Sequence, residues 1–147
     1  MTTQHDLRRL NLMIIFYQHT GPDSPMRYYY YFWRMNAEDI RTYCLAKPGT
    51  EEGLPFGEDT LVFKVQGKIF LLLSLDTHPL QFNVKCDPDK AIELRDEHSS
   101  IIPGYHMNKR HWNTVIDDGS ITNKLIREMI DHSYSLVFKQ PKQKTRK

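Results

Sequence analysis

The chain holds only two cysteines, Cys44 and Cys86, and no Cys-x-x-Cys pair. That excludes a disulfide framework and a cysteine-based zinc site, and it fits a reducing, cytoplasmic setting. No run reaches the ~18 uninterrupted apolar residues of a membrane span. The apolar stretch at residues 10–17 is short and no small-residue cleavage site follows it, so no signal peptide is expected. The glycines are too scattered to form a phosphate-cradling loop. No serine sits in a nucleophile elbow, and no His-Glu-x-x-His occurs. His106 and His111 stand five apart, the wrong spacing for one helical face. The expectation is a non-enzymatic protein without cofactor or resident metal.

What is present is an ordinary globular composition, 39% hydrophobic and 26% charged, in 147 residues, enough for one domain with a real core. The net charge of +2 is unevenly spread. Residues 1–34 carry four basic and two acidic side chains, and Lys139, Lys142, Lys144, Arg146 and Lys147 crowd the C-terminus with no acid. Residues 35–138 are left with 11 basic against 16 acidic side chains, a net of −5, which counts against a simple basic footprint.

Three regions follow from the pattern. Residues 1–34 combine a polar start, the short apolar run, a Gly21-Pro22-Asp23-Ser24-Pro25 breaker and the aromatic block from Arg27 through Tyr28, Tyr29, Tyr30, Tyr31, Phe32 and Trp33 to Arg34. That block reads either as a stacking platform or as a poorly ordered extension, even one upstream of a true start at Met35. Residues 35–138 form the domain. Residues 139–147 are a basic tail with no apolar side chain, expected to be disordered.

Within the domain, Asn36 caps a helix with Glu38 and Asp39 in its first turn. Ile40, Tyr43, Cys44 and Ala46 continue it, and Lys47-Pro48-Gly49 stops it. Residues 51–56 read as a short first strand. Residues 60–65 alternate Leu61, Phe63 and Val65 against Thr60, Val62 and Lys64, and Gln66-Gly67 makes a tight turn. Residues 68–75 are apolar on both faces, with Ile69, Leu71, Leu73 and Leu75 on one and Phe70 and Leu72 on the other. Residues 80–86 place Leu80, Phe82, Val84 and Cys86 inward. Asp87 and Pro88 open a second helix that runs to about His98. After an irregular stretch, residues 112–116 form a last strand. Ser120 caps a final helix whose stripe is Ile121, Leu125, Ile126, Met129, Ile130, Tyr134 and Val137. Strands joined by such short links are antiparallel neighbours, so the class is α+β, in the order α-β-β-β-β-α-β-α.

Four segments carry a resemblance. They are Pro55-Phe56-Gly57-Glu58-Asp59-Thr60-Leu61-Val62-Phe63-Lys64-Val65, Asn83-Val84-Lys85-Cys86-Asp87-Pro88, Ile102-Pro103-Gly104-Tyr105-His106-Met107-Asn108-Lys109-Arg110-His111-Trp112-Asn113-Thr114-Val115, and Ile130-Asp131-His132-Ser133-Tyr134. Together they resemble the MmcQ/YjbR family of small bacterial proteins over residues 35–138. The resemblance implies a fold similar to CyaY, the bacterial frataxin: an antiparallel sheet with helices packed on one face. It also implies DNA as partner, bound by a double wing of hairpins. Frataxin-like iron carriage would need an acidic ridge, and the first helix pairs only Glu38 and Asp39, so no iron site is expected.

On this alternation Lys64, Lys68 and Lys85 share the sheet face turned away from Leu61, Phe63, Leu73, Phe82 and Val84. Lys64 and Lys68 flank one wing. Lys109 and Arg110 supply the second, with His111, Asn108 and Asn113 able to bond phosphate or base edges. The alternative is a module for a small anionic ligand or a protein partner, with a pocket of Tyr105, His106, Asn108, Lys109, Trp112 and Asn113. The same segment also reads as a structural loop, with Pro103-Gly104 setting the bend, Trp112 in the core and His106 satisfying backbone groups.

Overall fold

The computed structural model describes residues 34–141. The aromatic block at residues 27–33, and residues 142–147 of the tail expected to be disordered, lie outside them. The first helix, α1 (Ala37–Leu45), begins where Asn36 Oδ1 accepts from the Asp39 amide and the Asp39 carboxylate accepts from the Asn36 amide, each at 2.9 Å. Such a reciprocal cap satisfies two helix-end donors and is worth about 1 kcal/mol. Six strands and two helices follow: β1 (Thr50–Gly53), β2 (Thr60–Val65), β3 (Lys68–Ser74), β4 (Leu80–Lys85), α2 (Pro88–Glu97), β5 (Ile101–Pro103), β6 (Trp112–Asp117) and α3 (Asn123–Val137). The β2–β3 turn has Gln66 and Gly67 at φ 52° and 75°, the paired positive values that match a two-residue turn to strand twist. Asp87 Oδ1 accepts from the amides of Asp89 and Lys90, with Pro88 opening α2.

The six strands make one antiparallel sheet in the order β1-β2-β3-β4-β6-β5. Residues of all three helices share one apolar cluster with Phe63, Phe70, Leu71, Phe82, Val84 and Val115, so the helices cover a single face. The expected α+β class is the one observed. Among the described residues, no helix is long and apolar enough to cross a membrane.

Four local expectations need correction. The first strand is Thr50–Gly53, not residues 51–56. The strand β5 was absent from the expected order; it is three residues long and its Pro103 has no amide to donate, which suits a sheet edge. Thr122, not Ser120, caps α3, because the Ser120 hydroxyl is engaged with Asp118 and Ser100. The fourth is the register of β3. Phe63 stands opposite Leu71 but Lys64 opposite Ile69, so Phe70 is an extra residue, a β-bulge. The bulge breaks the alternation. Phe70 joins Leu71 and Leu73 under the helices, while Ile69 turns to the other face with Val62, Leu72 and Trp112.

That bulge also locates α3. The next pair in the β3–β4 ladder after Leu71–Val84 would join Phe70 to Lys85, and it is missing. The buried Ser133 of α3 stands in for it. Its Oγ donates to the Phe70 carbonyl at 2.5 Å and accepts from the Lys85 amide at 2.8 Å. Two backbone groups that a bulge would leave orphaned in the core are thereby paired.

Candidate nucleic-acid interface

Strand direction decides which charges meet. With all neighbours antiparallel, the C-terminal ends of β2, β4 and β5 lie at the same end of the sheet as the N-terminal ends of β3 and β6. That end carries Lys64 and Lys68 about the β2–β3 turn, Lys85 closing β4, and Lys109, Arg110 and His111 in the connection from β5 to β6. Lys139 belongs there too: Gln66 Nε2 donates to its carbonyl at 2.7 Å and Gln66 Oε1 accepts from its amide at 2.9 Å. The opposite end carries Glu58, Asp59, Asp76, Asp117 and Asp118. Glu97 is there as well, because Ser100, just past α2, accepts at its carbonyl from the Ile116 amide near the end of β6. At the cationic end the acids are Glu51, which is opposite Lys64; Asp87 and Asp89, at the start of α2; and Asp131, which pairs with Lys47 just before β1. The net negative domain is therefore polarised along its strands.

Each expected site residue has a definite place. Lys64 and Lys85 are on the face away from the helices and half-buried, with Lys85 Nζ 5.6 Å from the centre of the Trp112 ring. Lys68 does not share that face. The bulge sets it opposite Val65, on the helix side, where it is exposed at the turn. Lys109, Arg110 and His111 are exposed. Asn113 cannot contact a nucleic acid, because it is fully buried on the helix side, opposite Val84, and its Oδ1 accepts from Arg95 Nε at 2.8 Å. The cations thus gather at a rim of the sheet, not across one flat face.

The alternative pocket does not assemble. Trp112 and Asn113 are consecutive strand residues and point to opposite faces, with Trp112 in the second apolar cluster beside Met107. Asn108 Oδ1 accepts from the Arg110 amide at 3.0 Å, closing a local turn. A cavity of about 10 Å³, room for about one water, is lined by Val84, Lys85, Cys86, Lys90, Leu94, Asn113, Met129 and His132. Of the six expected pocket residues, it uses Asn113 alone.

One residue that sequence reasoning passed over holds the β5–β6 connection. Arg95 of α2 donates from Nη2 to the carbonyls of Lys109 and Trp112, the latter at 3.2 Å, besides its bond to Asn113. A guanidinium forked over three acceptors fixes the loop that displays Lys109 and Arg110. Its only signal in the sequence was a basic residue late in a helix, which ordinarily reads as a match for the helix dipole.

Burial pushes the His132 pKa down, with Lys90 adding to the effect, and its Nε2 accepts from the Asp87 amide at 3.1 Å, which requires the neutral ring. Burial pushes the Cys44 thiol up to about 12 and raises Cys86 as well, so both stay protonated near neutral pH. Among the described residues, no group of three or more His, Cys, Asp or Glu is placed to hold a metal ion.

The family model YjbR matches residues 45–136. The protein YbdF of Escherichia coli O157:H7 is 40% identical over 100 residues, covering 68% of this chain and 82% of its own length. YjbR of Escherichia coli K12 is 33% identical over 100 residues, covering 68% and 85%. Among solved structures, the crystal structure of Deinococcus radiodurans protein DR2400 is similar at a TM-score of 0.67 with 40% identity, over 73% of this chain and 81% of that one. The crystal structure of a Pseudomonas syringae protein is similar at 0.62 with 28% identity, over 71% of this chain and all of the other.

Proposed function

The chain belongs to the YjbR family, and on that footing we propose that it is a non-enzymatic DNA-binding protein that engages the phosphate backbone through the cationic end of its sheet. The observation that carries the reading is convergence. Lys64 and Lys68 come from one connection, Lys109 and Arg110 from another, and Lys85 from the strand between, yet all meet at one end. The β2–β3 turn and the β5–β6 connection are two projections from that end, one at each side of β4. Duplex phosphates recur every few ångströms, so separated cations on two projections fit them better than a single point charge does. The acids at the far end would orient the approach, pointing the positive rim at a polyanion.

Fluorescence anisotropy with a labelled duplex tests the reading. Binding at ~50 mM salt should weaken steeply as salt rises, with the log–log slope falling by about 1 for each phosphate contact removed. Lys109→Ala with Arg110→Ala should weaken binding and lower the slope. Asp76→Asn, at the other end, should leave the slope unchanged, since it removes no phosphate contact. No binding of the duplex or of either of its separated strands at ~50 mM salt by the full chain defeats the proposal.

A further inference from the structure

The second wing displays more than charge. Tyr105 is 69% exposed, unusual for a large ring, and its ring centre lies 4.0 Å from that of His106 at 54°. This pair is held, not loose. The Tyr105 amide donates to Thr114 Oγ1 at 3.0 Å, which anchors the loop to β6. Gly104 is clamped against Trp112; a Cβ there would meet the Trp112 Cβ at 2.7 Å. His106 sits at φ 56°, a left-handed conformation that a residue with a side chain adopts at a cost, and that places its ring beside Tyr105. Lys109 and Arg110 follow within the same short connection, exposed.

We propose that Tyr105 and His106 form a stacking platform for an unpaired base, so that the preferred form of the ligand is single-stranded DNA. This deepens the DNA-binding reading and rests on it. A duplex hides base faces within its own stack, leaving exposed rings nothing to cover them. A single strand offers a face to Tyr105 while its neighbouring phosphates reach Lys109 and Arg110. The anchored backbone favours this, because the loop carrying the rings needs no ordering at the moment of binding.

One labelled mixed-sequence oligonucleotide of ~20 nucleotides, used alone and annealed to its complement, provides the test at ~50 mM salt. The single strand should bind more tightly than the duplex. Tyr105→Ala should weaken single-strand binding on the order of tenfold with little change for the duplex, and Tyr105→Phe should stay near the parent. His106→Asn, which tolerates the left-handed backbone, should give a smaller loss on the single strand. A duplex bound at least as tightly as the strand, or a Tyr105→Ala variant indistinguishable from the parent, overturns the platform while leaving duplex binding standing. Absence of binding to either form overturns both. Melting curves of each variant establish that a lost signal comes from the surface and not from unfolding.

Discussion

Ser133 shows how much one hydroxyl can decide. It interrupts the apolar stripe of α3, and a polar residue there reads as a flaw in the pattern until the bulge at Phe70 is seen. Its Oγ then pairs a carbonyl of β3 and an amide of β4 that have no ladder partners. Ser133→Ala should cost about 1–3 kcal/mol in a urea titration, the range for leaving buried polar groups unpaired. A change within ~0.5 kcal/mol, the range of an ordinary surface substitution, would show that the bridge is dispensable. His132, its neighbour, predicts a pH dependence. The unfolded chain takes up a proton at this ring near the ordinary value of 6.5, while the folded protein resists until a lower pH. The contribution is complete above that value and is lost as pH falls toward the depressed folded one. The parent should therefore lose more stability between pH ~7.5 and ~5 than His132→Gln, whose amide oxygen accepts the Asp87 amide without titrating. Equal losses would remove His132 from the account.

At the scale of elements, alternation, caps and turn residues made most of the domain readable. Asn36, Asp87-Pro88 and Gln66-Gly67 each name their local structure, because each satisfies a specific backbone requirement. The failures are equally physical. A β-bulge has no residue signature of its own in the run Ile69-Phe70-Leu71-Leu72, since every position is apolar, and so the faces of β3 were exchanged from Phe70 backwards. That single residue moved Lys68 to the helix side. Asn113 was misplaced for a different reason: an Asn within a strand looks solvent-facing until the half-buried Arg95 arrives from α2. Arg95 supplies the element-scale prediction. Replacing it with Met keeps the packing stem but removes three hydrogen bonds, so stability should drop by about 2 kcal/mol. Amide exchange at residues 109–113 should quicken, and DNA affinity should fall although Lys109 and Arg110 remain. Unchanged exchange in that segment would show that the loop holds its shape without the guanidinium.

For the whole molecule, net charge was the misleading quantity. A total of −5 over residues 35–138 argued against a polyanion as partner. Strand order answers the objection, because it sorts Lys64, Lys68, Lys85, Lys109 and Arg110 from Glu58, Asp59, Asp76, Asp117 and Asp118 by end. No count along the chain reveals that sorting, since residues far apart in sequence become neighbours only through the sheet. The most direct measurement is an amide chemical-shift titration of the full chain with an unlabelled oligonucleotide at low salt. The shifts should concentrate at residues 64–68, 85 and 105–111, with 57–59, 76–79 and 117–120 silent. Shifts centred on the acidic end, or none at saturating oligonucleotide, would contradict the account.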